Sequence, residues 1–222
     1  HAGKIAAVAP EIEPPAGAEV IDAQGRLLTP GCVDAHCHIG LDNECMRWEG
    51  MDYNEGADPL TPQLRAIDSI NPQDEAFPLA LRGGVTAACT GPGSANVVGG
   101  TFAVLKLAGT CVDKMVLRDP ASMKCAFGEN PKDFYGQKKG SSPVTRMAVA
   151  SMLRELLFKA RRYREDRLAG RNPPFDMKLE AMLPVIEGKI PLKCHAHRAD
   201  DILTAVRIVK EFGLRANFTQ FQ

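Results

Sequence analysis

The sequence predicts an α/β fold whose chemistry-bearing residues gather at the C-terminal ends of strands. Three observations carry this expectation. Short apolar runs alternate with stretches of helical period. Two of those runs end in a His-x-His pair, His36 with His38 and His195 with His197. A third, Met123 to Phe127, ends in Gly128-Glu129-Asn130-Pro131. On a strand, residues i and i+2 share a face, so His36 and His38 project together and are close enough to grip one metal ion. Gly31 and Gly40 bracket their run, which keeps it short and puts the histidines at its C-terminal end. Parallel α/β barrels carry their chemistry at that end. Two unrelated core histidines would be the plain alternative, but Asp34 lies two residues before His36 and a second His-x-His pair follows later.

Taken in order, residues 3–30 read as three short strands, Gly3–Ala9, Ala18–Asp22 and Arg26–Thr29, with a turn at Ala23-Gln24-Gly25. The first barrel-type strand follows. A long polar segment, Leu41 to Pro72, carries the only Trp and acids at Asp42, Glu44, Glu49 and Asp52. A connection of this length is usually functional or mobile, although each acid taken singly reads as a solvated side chain. Asn71 as cap, Pro72 in the first position and acids behind it predict a helix from Asn71 to Arg82. Val85–Thr90 is the second strand, and Gly91–Asn96 is a tight loop on the rim of His36, with Ser94 and Asn96 as candidate substrate contacts. Thr101–Leu107 and Met115–Arg118 are further extended runs. Pro131 is expected to keep a helix from starting at Asn130. Residues 143–168 read as a long amphipathic helix, Asp176–Glu187 as a second, and Asp200–Phe212 as a third. A strand is expected between Leu214 and Gln222.

Composition narrows the function classes. The chain has 222 residues, 45% hydrophobic and 24% charged, with zero formal net charge. These values fit a soluble globular protein. No basic block suggests nucleic acid, and the arginines of the long helix read as a solvated face. No apolar run is long enough for a membrane span. The seven cysteines are scattered singly, which reads as reduced packing residues of a cytoplasmic protein. The N-terminus lacks Met and opens in mid-pattern, so the sequence is expected to begin inside a longer chain.

Pro30-Gly31-x-x-Asp34-x-His36-x-His38 resembles the first-strand signature of the amidohydrolase superfamily. Lys124 to Lys132 and Lys193 to Ile202 are similar to further motifs of that family, so the resemblance runs from about Gly3 to about Leu214. The motifs are most similar to the imidazolonepropionase-like and deacetylase-like branches. The resemblance implies a (β/α)8 TIM barrel of the metal-dependent hydrolase type, incomplete here, with residues 1–30 belonging to a small N-terminal β-sandwich and 31–222 to the barrel. It implies His36, His38 and His195 as metal ligands and Glu129 at the position where some branches use a Glu ligand. Other branches use a carboxylated Lys, for which Lys124 is the fallback. His197 is expected to contact substrate or to lie behind a ligand, and Asn96 to contact substrate. The implied cofactor is one or two divalent ions, zinc by donor type.

The implied activity is hydrolysis of a C–N bond in a small molecule, such as a cyclic amide, an N-acyl group or a dipeptide, through a metal-activated water. The family's general base, an Asp of strand eight, is expected beyond residue 222. That leaves a truncated or non-catalytic metal-binding or assembly protein of the same fold as the alternative. Its partners are then a small-molecule substrate and, for a half-barrel with open edges, a second copy of itself.

Overall fold

The computed structural model describes residues 3–219. The chain divides between Pro30 and Gly31. The first unit differs from expectation, because no strand forms within residues 3–30. Its backbone bonds include the turn contacts Ala18 N to Pro15 O and Arg26 N to Ala23 O. Ile5, Val8, Val20, Ile21, Leu27 and Leu28 are 71–92% exposed. An extended segment becomes a strand only when a neighbour accepts and donates along its ladder, and alternation alone supplies no such neighbour.

The second unit is a mixed α/β domain. Its elements are β1 (Cys32–Cys37), α1 (Ala76–Arg82), β2 (Val85–Thr90), β3 (Val98–Lys106), α2 (Val112–Met115) and β4 (Val116–Ala126). Then come α3 (Glu129–Lys132), α4 (Arg146–Leu168), α5 (Met177–Ile186), β5 (Leu192–His195), α6 (Ala199–Phe212) and β6 (Ala216–Thr219). Gln220 to Gln222, the end of the last expected strand, lie outside the described residues. The six strands lie in chain order in one sheet. Pairing is parallel for β1 with β2, β4 with β5 and β5 with β6, while β3 runs antiparallel to both its neighbours. That reversal departs from a uniform β/α repeat. The loop from β2 to β3 spans only residues 91–97, too short for the helical crossover a parallel connection needs.

The sheet curls. In a flat sheet β1 and β5, four strand steps apart, would be roughly 19 Å from each other. Yet Lys193 Nζ on β5 donates to the Ala35 carbonyl of β1 at 2.7 Å. The arrangement is an open part of a barrel, with β1 and β6 at its edges.

Alternation along the strands separates two layers. Met123, Cys125, Leu192 and Cys194 pack outward against Val149, Leu153, Leu157, Met182, Val185 and Ile208 of the helices. The buried residues of α4 recur every three or four positions, the spacing that puts one helix face on the sheet. The Thr145 hydroxyl caps α4 by accepting from Ala148 N at 3.0 Å, and Asp176 caps α5 in the same way. Gly213, at φ 66°, ends α6 in the left-handed conformation that glycine adopts most readily. A second core, with Phe77, Leu41, Leu105 and Met115, lies under α1 and the long loop.

Two local expectations change. The helix expected from Asn71 begins at Ala76, because Asp74 is diverted: its carboxylate accepts from the backbone N–H groups of Gly40, Glu44 and Ala76. Residues 71–75 therefore form turns that anchor the long loop. Helix α3 starts at Glu129 and runs straight through Asn130 and Pro131. Proline is tolerated in a first turn, where its missing N–H has no intrahelical partner to lose. No helix of the described residues is long and apolar enough to cross a membrane.

Leu157 is fully buried at the centre of the α4–sheet contact. Leu157→Ala is expected to lower stability by about 2–5 kcal/mol. The measurement is the urea midpoint, with an unchanged slope showing that the denatured state is the same.

Candidate functional site

His36 lies near the end of β1 and His38 just past it, and their ring centroids are 5.2 Å apart. The His38 ring is oriented by its Nδ1, which donates to the Gly91 carbonyl at 2.7 Å. A carbonyl can only accept, so Nδ1 carries the proton and Nε2 keeps its lone pair. His36 stacks on Phe102 of β3, with centroids 5.4 Å apart and planes 21° from parallel. Both of its ring nitrogens are buried with no hydrogen-bond partner among the described residues. Burial, followed by the charges of Lys124 and Lys193, lowers its pKa to about 3. Burial also lowers that of His38. Both rings are therefore in the neutral form that a metal requires.

Lys124 and Lys193 face the same interior. They are paired in register on β4 and β5. Lys124 is 0% exposed, its Nζ has no hydrogen-bond partner among the described residues, and it sits 5.7 Å from the Phe102 centroid. Burial lowers its ammonium to a pKa of about 8, with the Lys193 charge acting in the same direction. Lys193 lies 5.0 Å over the same ring. Neither Lys193 nor Phe102 was singled out from sequence. For Lys193 the usable signal was its position two residues before His195 on one strand face. For Phe102 there was none beyond strand alternation.

His195 ends β5, and its Nε2 lies 2.9 Å from the Asn130 side-chain amide. His197 lies past the strand, with its ring centroid 4.5 Å from that of His195. Glu129, the first residue of α3, is engaged by two other side chains. Its Oε1 meets His197 Nδ1 at 2.6 Å, and its Oε2 meets the Arg146 guanidinium at 3.1 Å. Arg146 in turn donates to Asp201 at 2.9 Å. Partial burial raises the Glu129 pKa, but the His197 hydrogen bond and the Arg146 charge outweigh it and leave the group below its ordinary value. Gly128 makes the turn before Glu129 at φ 79°, where an added Cβ would lie 2.4 Å from Asp201 Oδ2.

Asn96 is buried and occupied. Its amide nitrogen donates to the Asp58 carbonyl, to Thr61 Oγ1 and to Tyr135 Oη. It holds the long loop to the β2–β3 loop, and its neighbour Ser94, not Asn96, lines the mouth. That mouth is a cavity of about 610 Å³ with His38, Tyr53, Ser94, Glu129, Asn130 and Phe134 in its wall. Tyr53 comes from the long loop and Phe134 follows α3, so neither position had a local motif to mark it.

Among the described residues, no three His, Cys, Asp or Glu side chains are gathered to hold an ion. Lys124, against the same Phe102 ring as His36, is a further donor for the His36–His38 set; its ammonium has no lone pair, so an ion can use it only after it loses a proton or is carboxylated. The unpartnered nitrogens of His36, the free Nε2 of His38 and the unpartnered Lys124 Nζ fit a site of the carboxylated-lysine type. A Glu129-bridged site would require Glu129 to leave both His197 and Arg146.

No protein-family model matches the sequence. Amidohydrolase tasK of Hapsidospora irregularis is 32% identical over 227 residues, covering 91% of this chain and 23% of that protein. A dihydroorotase of Anaeromyxobacter dehalogenans is 35% identical over 95 residues, covering 43% of this chain and 17% of that protein. The crystal structure of an amidohydrolase from Thermotoga maritima matches with a TM-score of 0.89 at 45% identity, covering 96% of this chain and 56% of that one. This chain therefore spans only part of each relative. It shares a curled sheet with a solved amidohydrolase and aligns along most of its length with another, and it belongs to the amidohydrolase superfamily.

Proposed function

We propose that this chain carries the first-strand, fourth-strand and fifth-strand part of a metal-dependent hydrolase site acting on a C–N bond of a small molecule. The observation behind this reading is the set of unpartnered, neutral His36 nitrogens beside a buried, unpartnered Lys124. His36, His38, Lys124 as a carbamate and His195 would hold one or two divalent ions, zinc by donor type. A bound ion would supply an activated water and polarise the scissile carbonyl. The residues of the chain prepare that chemistry. Gly91 fixes the His38 ring. Lys124 near pKa 8 is partly neutral amine at pH 7–8, so its lone pair can add to carbon dioxide with loss of one proton. Glu129, with Arg146 behind it, holds the ring of His197, which is proposed as a substrate contact.

Tyr53 and Phe134 supply flat apolar walls in a mouth otherwise lined by polar groups, which suits a small ring or acyl group bearing an amide. The dihydroorotase and dihydropyrimidinase names among the relatives point toward ring amides. Residues 1–30 are proposed as part of a small β-sandwich completed by strands from elsewhere. No observation favours a non-catalytic assembly role.

Protein purified without chelator is expected to contain a divalent metal, measured by plasma emission spectroscopy. His36→Ala, His38→Ala and Lys124→Ala are expected to lose it, whereas Glu129→Gln retains most of it. Metal-free wild-type protein, or loss in Glu129→Gln with retention in Lys124→Ala, overturns the assignment. A hydrolysis screen over lactams, N-acyl amino acids and dipeptides then tests the substrate class.

A pH prediction follows from His36. Its pKa is lowered on folding to about 3, so the unfolded chain binds more protons below its ordinary value of roughly 6.5. The stability it contributes is present above that value and is lost as the pH falls toward 3. In metal-free protein the urea midpoint is expected to drop across this window, with a shallower drop in His36→Asn. Equal slopes would remove His36 as the source.

A further inference from the structure

We propose that Lys193 is a positioning residue. Its ammonium spans the barrel interior from β5 to the Ala35 carbonyl of β1 and fixes the separation between the His36–His38 strand and His195. This rests on the reading of those histidines as metal donors. The bond is 2.7 Å long and joins residues 158 apart in sequence. Ala35 is the residue immediately before His36. Lys193 lies two residues before His195 on the same inward face of β5. Strand β1 is tied to β2 and its loop by pairing, by His38 with Gly91 and by Thr90 with Ile39. Those contacts set β1 against its neighbour and leave its distance from β5 open. Lys193 supplies a direct link across that distance.

Phe102 holds the link in place. Lys193 Nζ lies over the face of its ring, and His36 stacks against it. A cation on the face of a desolvated aromatic ring is attracted to it. The ring thus seats the ammonium that donates to Ala35, against the same side chain on which His36 stacks. A hydrogen bond from a charged donor in a water-poor interior is also stronger and more directional than a neutral one. The geometry of the donor set is then transmitted from β5 to β1 through one side chain.

Electrostatics and positioning predict opposite outcomes for the same substitution. A lysine ammonium repels a nearby cation, so removing its charge alone would tighten metal binding. Removing a positioning contact loosens it, typically ten- to a hundred-fold. Zinc affinity of the full chain is measured by competition with a chromophoric chelator. Cobalt(II) is substituted to read coordination geometry from its visible absorption, and melting is recorded for every variant.

Lys193→Met is expected to lower zinc affinity at least about tenfold and to change the cobalt spectrum at unchanged melting temperature. Lys193→Arg, which keeps a cationic donor of similar reach, is expected to retain most of the affinity and the spectrum. His36→Ala is the control. If it leaves zinc binding intact, the metal reading itself fails. If it abolishes binding while Lys193→Met binds as tightly as wild type or tighter, the positioning role alone is overturned. Loss of affinity in Lys193→Arg at native melting also overturns it. Failure of both Lys193 variants to fold makes the residue a strut for the fold and overturns it as well.

Discussion

Met123, Lys124, Cys125 and Ala126 pair in parallel register with Leu192, Lys193, Cys194 and His195, and this register decides which side chains meet inside the barrel. Alternation sends Lys124, Lys193 and His195 inward, and Met123, Cys125, Leu192 and Cys194 outward into the helix layer. A slip of one residue on either strand would exchange the two sets, sending ionisable groups into an apolar core and thiols into the lumen. The Cys125 and Cys194 sulfurs, 3.4 Å apart in that core, are the outer counterpart of the two inward lysines.

The interior is correspondingly short of negative charge. Two buried lysines and two neutral histidines converge on one phenylalanine, while the Glu129 carboxylate is held nearer the rim by Arg146 and His197. Desolvation disfavours charge there first, and the lysine charges act in the same direction, which lowers the His36, His38 and Lys124 pKa values together. An interior of this kind accepts a group that brings anionic character with it, and Lys124 is the residue whose chemistry can supply one.

The rim follows a different logic. Asp201, Arg146, Glu129 and His197 form a chain of charged hydrogen bonds from α6 through α4 and α3 to the residue beyond β5. Gly128 allows the chain to pass close to Asp201. Its members come from four separate segments, so the orientation of His197 depends on helix packing as much as on the strand that precedes it. Tyr53 and Phe134 enter the mouth from segments that carry no regular strand.

The sequence by itself determined the alternation of strands and helices, the bounds of α4, α5 and α6 to within a few residues, and the two His-x-His strand ends. Periodicity and punctuation are local properties, and a two-residue spacing on a strand already implies a shared face. The sequence did not reveal that Gly3–Thr29 would lack strands, since pairing needs a partner that no local pattern encodes. Nor did it show that β3 reverses or that α3 begins at Glu129. At the site, the motif Gly-Glu-Asn-Pro pointed to Glu129, while the tertiary structure turned Glu129 toward Arg146 and brought Lys124 beside His36. Which side chains share an interior depends on strand register and sheet curl, and both join residues far apart in sequence: Lys124 pairs with Lys193 on the neighbouring strand, and Lys193 reaches Ala35 across 158 positions. The opening His36–His38 pair was therefore legible as a candidate metal grip, and only the folded chain decided what surrounds it.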